Sequence, residues 1–587
     1  MRLINSRHCN SLPAAALLVM ITTATSFLLA SSPKRVITSF LLSSSPVARL
    51  RTSSSLLFVV KPNTNRSHRF THSCRYHPRH CHSSSLLNSH TGPSINSKAF
   101  LSNHSIRSSR STSTRTSLAS STKDTSTMND IDLSSFQVSI SDAFDGGNGK
   151  FLKTQVTSNE LAVLVNIKKD PFTQLEQCHH FQYFSFRSTI QQQQSTEKSA
   201  TNVTVKYVVA NAGKASYPSA WDGSTIFTST TPSDPFSWTR KLDTTYDTTT
   251  GQLSWTHEHN LNPNSDVVYF SYFPPYSYER HLDFISKCAL HPRTQVTSLG
   301  QSLDGREIEC IKIGSGQKQC WIIHRQHPGE TMAEFYAEGL VSRLLGLDHG
   351  YSVDGLVKDV LNMYTFHIVP CMCPDGSYRG HLRTNASGQN LNREWCSSGT
   401  KEDGTYYEAP SLERSPEVYY VLKKMDETGV DAFLDVHGDE ELPFNFLAGG
   451  EGCPNWSPRL EMLQGAFLQQ YARSNSDMQV PIAYEPEEPG QGRLNVCSNQ
   501  IGTRYDCLSV TLEMPFKDCL SNPDPDRGWN PARSKMLGAS VLEPLLYVGK
   551  YLRMEGEFWK DVAKDEGVFG EEDKYVRPTA NYKSVKN

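Results

Sequence analysis

Between Met1 and Lys123 there is not one Asp or Glu, although that stretch carries 16 Lys and Arg. From Met128 onward the balance reverses, with 42 basic against 59 acidic residues. A split of this kind marks two physically different segments. The acidic body excludes nucleic acid as a partner, because it would repel a phosphate backbone. No CxxC pair occurs among the 14 cysteines; the nearest two are Cys371 and Cys373. On a strand such a pair points to opposite faces, so it would neither chelate one ion nor form a bridge. A chain of 587 residues needs no disulfide framework to build a core, and buried free thiols are expected. P-loop, GxSxG and dinucleotide fingerprints are all missing. No unbroken apolar run suits a permanent membrane span: Leu12–Ala30 is interrupted by Thr22, Thr23, Thr25 and Ser26.

What the first 127 residues do hold is an address. Arg2 and Arg7 precede the apolar stretch, and small residues at Ala24–Ser26 suit a cleavage site. Beyond it lies Ser-, Arg-, Thr- and His-rich sequence of transit-peptide type. A genuine leader implies an organelle, plastid or mitochondrion; a start at Met128 implies the cytoplasm. In either case a disordered segment without a packed core is expected over 1–127.

Residues 130–275 read as strands. LAVLVNI, FQYFSFRS, VTVKYVVANA and VVYFSYF are separated by turn signals: DGGNG, the DPF of Asp170–Phe172, and NPNSD. Aromatic and β-branched residues dominate without a helical period, which predicts an all-β sandwich. From 276 to 552 apolar strands alternate with amphipathic helices, predicting an α/β domain whose mixed, mostly parallel sheet is flanked by helices. The charged remainder, 553–587, reads as a helix end and tail. In α/β domains ligands gather at the carboxyl ends of strands.

Three candidate ligands follow such strands. His327 and Glu330, in HPGE, come after CWIIHRQ, and His437 comes after DAFLDV. Two ligands three residues apart can grip one ion where a loop turns into a helix. HxxE alone is weak; the third candidate raises it. A His₂Glu set that leaves a fourth position for water is a catalytic zinc arrangement, and one Zn²⁺ per chain is expected. Asp435 or Asp439 would either orient a ligand imidazole or cap a strand end. His257, Glu258 and His259, and likewise His179 and His180, lack a third ligand in sequence and read as turn or edge residues.

HPGE, RTNASGQNLNREW, DVHGDE and SVTLEMPF occur in this order, and the stretch from about 135 to 552 resembles the M14 metallocarboxypeptidases. The similarity is to their cytosolic carboxypeptidase branch, in which a β-sandwich precedes the catalytic domain. It implies zinc-assisted hydrolysis of the last peptide bond of peptides or protein tails. Glu513 then matches the general base, and its apolar strand would bury it and raise its pKa. Arg383 matches the residue that stabilises the oxyanion. Asn392 and Arg393 match the pair that holds the terminal carboxylate, a task suited to the guanidinium fork. Arg504 falls where the family places the base of its side-chain pocket, which would favour a C-terminal Glu or Asp, as in deglutamylation. Two other classes compete: a zinc amidohydrolase or deacylase on the same scaffold, and a non-catalytic binding protein that keeps the zinc site.

Overall fold

The computed structural model describes residues 132–172, 179–193, 201–262, 264–400 and 406–557, which belong to one compact unit. Residues 1–131, which include the segment expected to be a leader, and residues 558–587 lie outside the described residues.

The first part is a sandwich of two five-stranded sheets. One orders β1 (Phe136–Ser141), β4 (Ser185–Gln192), β10 (Ser265–Ser271), β6 (Ile226–Ser229) and β7 (Thr239–Lys241). The other orders β2 (Lys150–Val156), β3 (Leu161–Asn166), β5 (Asn202–Val209), β9 (Gln252–Asn260) and β8 (Thr245–Asp247). Alternation buries one face of strands such as β4, β5 and β9, and Phe184, Phe186, Tyr207, Trp255 and Phe270 fill the space between the sheets. His257 and His259 are on β9, paired with β5 and lying past the three β9 residues that pair with β8, so they are strand residues and not turn residues. His259 is fully buried, its Nδ1 2.9 Å from Asp266 and its Nε2 2.8 Å from the Tyr207 hydroxyl. Asp266 therefore supplies the third potential ligand that the sequence did not reveal. Since both nitrogens of His259 are already hydrogen-bonded, the group is a buried polar network of the sandwich.

The second part centres on a seven-stranded sheet. Its order is β11 (Thr294–Gln301), β12 (Glu307–Gly314), β14 (Tyr364–Val369), β13 (Lys318–His324), β17 (Ala432–Val436), β19 (Leu508–Glu513) and β18 (Phe446–Ala448). A two-stranded pair, β15 (Gly399–Thr400) and β16 (Tyr406–Tyr407), lies apart. The four central strands run parallel and the three outer ones antiparallel, so the sheet is mixed, with only its middle following the expected parallel pattern. The helices are α1 (Tyr278–Ala289), α2 (Met332–Leu345), α3 (Gly355–Met363), α4 (Pro374–Arg379), α5 (Pro416–Thr428), α6 (Pro458–Ser474), α7 (Cys497–Tyr505), α8 (Pro531–Ser540) and α9 (Leu542–Gly549). The central strands are buried on both faces, which is why they read as unbroken apolar runs. The two parts share one apolar cluster; across their seam Tyr272 stacks on Phe516 with centroids 4.8 Å apart. All ten described cysteines are buried. Cys371 and Cys373 follow β14 in the loop leading to α4, so the strand argument does not apply to them. Among the described residues no helix is long and apolar enough to cross a membrane.

Candidate functional site

Three parallel strands, β13, β17 and β19, end along one edge of the sheet, and each hands a polar side chain to that edge. After β13 the chain turns through Arg325, whose backbone is left-handed with φ 55°. A non-glycine residue in that region needs holding. The buried Arg325 guanidinium is held by Glu334 of α2 and by the carbonyls of Pro328 and Tyr276. The turn delivers His327 and Glu330 just ahead of α2. His437 leaves β17 one residue past its end, and Glu513 closes β19.

The geometry is that of a cation site. His327 Nδ1 lies 2.6 Å from Glu330 Oε1, and His437 Nδ1 lies 2.8 Å from Glu330 Oε2. The two Nδ1 atoms are 3.2 Å apart. Ligands about 2.0–2.2 Å from a tetrahedral ion would be separated by roughly 3.3 Å; the two Nδ1 atoms match that spacing, and the carboxylate, now at hydrogen-bond distance from both, would open by about 0.5–0.7 Å to take the ion. The outer nitrogens are engaged elsewhere: His327 Nε2 lies 3.1 Å from Asn390 Oδ1, and His437 Nε2 lies 2.9 Å from Asp435 Oδ2. Both acceptors fix the proton on Nε2 and leave the Nδ1 lone pairs aimed at one point. Glu330 is only 3% exposed and His437 only 1%. Burial and the neighbouring Arg383 push the His327 imidazole down to about 3. For His437 burial works in the same direction, but Asp435 and Glu330 outweigh it and favour positive charge there. Burial alone would raise Glu330; the two imidazoles hold it well below the usual carboxylate range. A donor set that is neutral at one imidazole and negative around the other fits a divalent cation.

Glu513 is 8% exposed, and its Oε2 has no hydrogen-bond partner. Burial pushes its carboxyl well above the usual range, opposed by His437 and reinforced by Glu330. The Tyr484 hydroxyl lies 3.4 Å from Glu513 Oε1 and donates a 2.5 Å bond to Asp439 Oδ2. Asp435 and Asp439 thus divide the two roles open to them. Asp435 orients an imidazole, and Asp439 caps Glu441 N and Leu442 N.

Arg383 is brought to the site, within electrostatic reach of His327, Glu440 and Tyr217. Tyr217 belongs to the sandwich; Arg383 draws its phenol down, while burial and Glu440 carry it up to about 12. Asn392 points its Nδ2 toward His437 at 3.5 Å, its Oδ1 accepting from Cys497 N at 2.8 Å. Arg393 adjoins it, bonded through Nη1 to the Asn392 carbonyl.

Arg504 is not brought there. Helix α7 starts at the site, where Cys497 N meets Asn392, and runs toward the opposite edge of the sheet, the edge at which β19 begins. Seven residues of helix are about 10 Å. At that far end Arg504 makes a two-point ion pair with Asp426 of α5, with bonds of 2.8 and 2.7 Å. The expected pocket-base role is therefore corrected. Of α7, the first turn is what approaches the site, with Ser498 bonded to Thr511 of β19. Sequence reasoning also missed Asn390, Gln326, Tyr484 and Tyr217. Asn390, two residues before Asn392 in one motif, and Gln326, next to His327, had a local signal; Tyr484 and Tyr217 had none.

Comparison with known proteins agrees with this arrangement. Residues 140–273 match the family described as the cytosolic carboxypeptidase N-terminal domain, and residues 282–485 match that described as zinc carboxypeptidase. An uncharacterised protein of Zymomonas mobilis is 40% identical over 424 residues, 72% of this chain and 99% of that one. A metallo-carboxypeptidase from Pseudomonas aeruginosa, solved in complex with (2-guanidinoethylmercapto)succinic acid, is 36% identical. The match covers 71% of this chain and 100% of that one with a TM-score of 0.60. A metallo-carboxypeptidase from Burkholderia cenocepacia is 35% identical, with coverages of 70% and 98% and a TM-score of 0.59.

Proposed function

The chain belongs to the M14 zinc carboxypeptidase family, and we propose that it releases the C-terminal residue of peptides or protein tails with one zinc ion held by His327, Glu330 and His437. One observation carries the reading. Beside the three residues stands a buried carboxylate, Glu513, with an oxygen that no described residue satisfies. Zinc, when bound, supplies Lewis acidity that acidifies water and polarises the scissile carbonyl. Glu513 takes a proton from water at Oε2 and returns it to the leaving amine, a transfer that burial assists by raising its basicity. Arg383 faces the charge that develops on the carbonyl oxygen. Asn392 and Arg393 hold the substrate's free carboxylate, which makes the enzyme an exopeptidase. Asp435 and Asn390 keep the two imidazoles turned to the ion.

The finer reading, a preference for C-terminal Glu or Asp, draws its support from the resemblance to the cytosolic branch and no longer from Arg504. The ligand named for the P. aeruginosa relative joins a dicarboxylate to a guanidine, so basic residues belong in the test as well. The test is a peptide series that varies only in its last residue, each member paired with its C-terminal amide, with zinc analysis and a chelator control. Release of the last residue from free acids but not from amides is expected. Turnover of N-acyl amino acids in place of peptides would mean a deacylase, and no turnover by the zinc-loaded protein would mean a binding protein. Faster release of Glu and Asp than of Arg, Lys, Phe or Leu is the outcome that supports the finer reading.

A further inference from the structure

Arg383 sits in an irregular loop, yet the oxyanion role asks for a guanidinium placed to within a fraction of an ångström. The loop bonds to itself through His381 and Asn385, and its backbone at 382–384 is also held from the sandwich, by a residue 213 positions before Arg383. Asp170 opens the DPF turn that the sequence marks only as a connection. Its carboxylate is turned away from solvent, the residue being 4% exposed, and grips the backbone around Arg383. Oδ1 accepts from Leu382 N at 2.8 Å. Oδ2 accepts from Arg383 N at 2.8 Å, from Thr384 N at 3.0 Å and from the Thr384 hydroxyl at 3.1 Å. Asp170 is itself fixed, its own N–H donating to the His180 carbonyl at 2.8 Å.

The grip reaches the zinc ligands in one more step. Gly329, between His327 and Glu330, donates to the Leu382 carbonyl at 2.9 Å. A Cβ on Gly329 would stand 3.0 Å from that carbonyl and 3.2 Å from Cβ of Tyr183, another sandwich residue. On the far side of the loop, Gly388 adopts φ +85°, and a Cβ there would stand 2.6 Å from the Phe172 carbonyl. The loop is therefore met at one end by Asp170 and at the other by Phe172, and the HPGE turn rests on the same Leu382 carbonyl and on Tyr183.

Resting on the carboxypeptidase reading, we infer that Asp170 is a positioning residue for catalysis. Its carboxylate sets the 382–384 backbone and so the place where the Arg383 guanidinium meets the reacting carbonyl. The sandwich is then a working part of the active site as well as a neighbour of it. Asp170→Asn keeps the size of the side chain but turns an NH₂ toward N–H donors, so the loop must shift.

The test is a double-mutant cycle on the zinc-loaded full chain with one peptide substrate, using Asp170→Asn and Arg383→Ala. Asp170→Asn is expected to lower kcat about 10–100-fold with KM changed by less than about threefold and zinc content unaltered. In the Arg383→Ala background the same substitution is expected to change kcat by less than about twofold, because it has no guanidinium left to misplace. A role in folding alone predicts the opposite, equal losses in both backgrounds, and that result overturns the inference. So does parental kcat in Asp170→Asn. Should Asp170→Asn fail to fold, Thr384→Val removes one bond of the same clamp; a kcat about three- to tenfold lower supports the inference and an unchanged one overturns it. A parent that releases no C-terminal residue overturns the functional reading and this one together, whereas an active parent indifferent to Asp170 overturns this one alone.

Discussion

Replacing Asp435 by Asn separates the electrostatics of the zinc site from its shape. Asp435 is fully buried next to the end of β17. Its Oδ2 accepts from Gln326 Nε2 at 2.6 Å and lies 2.9 Å from His437 Nε2, while Oδ1 has no partner. The substituted amide can put its oxygen where Oδ2 was and keep both bonds, with its NH₂ taking the vacant side. What disappears is a negative charge behind a ligand imidazole. Carboxylates in this position make the ring a better donor, and losing one costs about 10–100-fold in metal affinity, or about 1.4–2.7 kcal/mol. Stability of the metal-free protein should move by less than about 1 kcal/mol, since a buried charge is removed and one unsatisfied position is kept. The assay is competition for zinc against a chromophoric chelator, run beside denaturant unfolding of the metal-free forms. An unchanged zinc Kd would refute the reasoning. A drop in metal-free stability matching the loss of affinity would refute it too, by showing that the residue acts on the fold and not on the ion.

Three further outcomes follow from the geometry. Glu513→Gln should bind zinc as the parent does and lose about 10²–10⁴ in kcat, measured by amino-acid release at equal zinc loading. Arg504→Gln should leave kcat/KM on peptides ending in Glu within about twofold of the parent, since Arg504 is committed to Asp426; only an exposed pair worth about 0.2–1 kcal/mol is lost. His281 lies between Glu309 and Glu334, which overcome the effect of burial and raise its pKa to about 9. A folded-state value above the unfolded 6.5 means stabilisation that is complete below pH 6.5 and disappears as pH rises through 9. Its size is about 3 kcal/mol, so unfolding free energies at pH 6 and pH 9.5 should differ more in the parent than in His281→Gln.

The grouping of His327, Glu330, His437 and Glu513 was legible because each follows or closes an apolar strand, and strand ends in a parallel sheet converge on one edge. Asp435, inside the run DAFLDV, was readable for the same reason. Arg504 failed because its place was taken from the resemblance to the family and not from its own surroundings. Between it and Glu513 lies the start of β19, and a short helix–strand connection puts the two residues at opposite edges of the sheet. Position in sequence carried no information about that reversal. Asp170 and Tyr217 were unreadable for another reason: their partners are more than 150 residues away, and nothing beside either residue records the contact. The polar network of His259 was hidden likewise, since Tyr207, Ser188 and Asp266 come from three other strands. The antiparallel outer strands escaped notice because half-exposed β11 and buried β12 carry similar β-branched residues whichever way they pair.

The clamp on the Arg383 loop also bears on inheritance. A gene fragment beginning at α1 would encode every residue assigned above to the ion, the proton transfer and the substrate carboxylate, and in an alignment it would look like a whole enzyme. Its product would leave three backbone amides and one hydroxyl of residues 382–384 without the acceptor they share. Recombination that separated the halves would thus pass on the reagents without the jig that aligns them. In this lineage the unit that selection can act on is the pair.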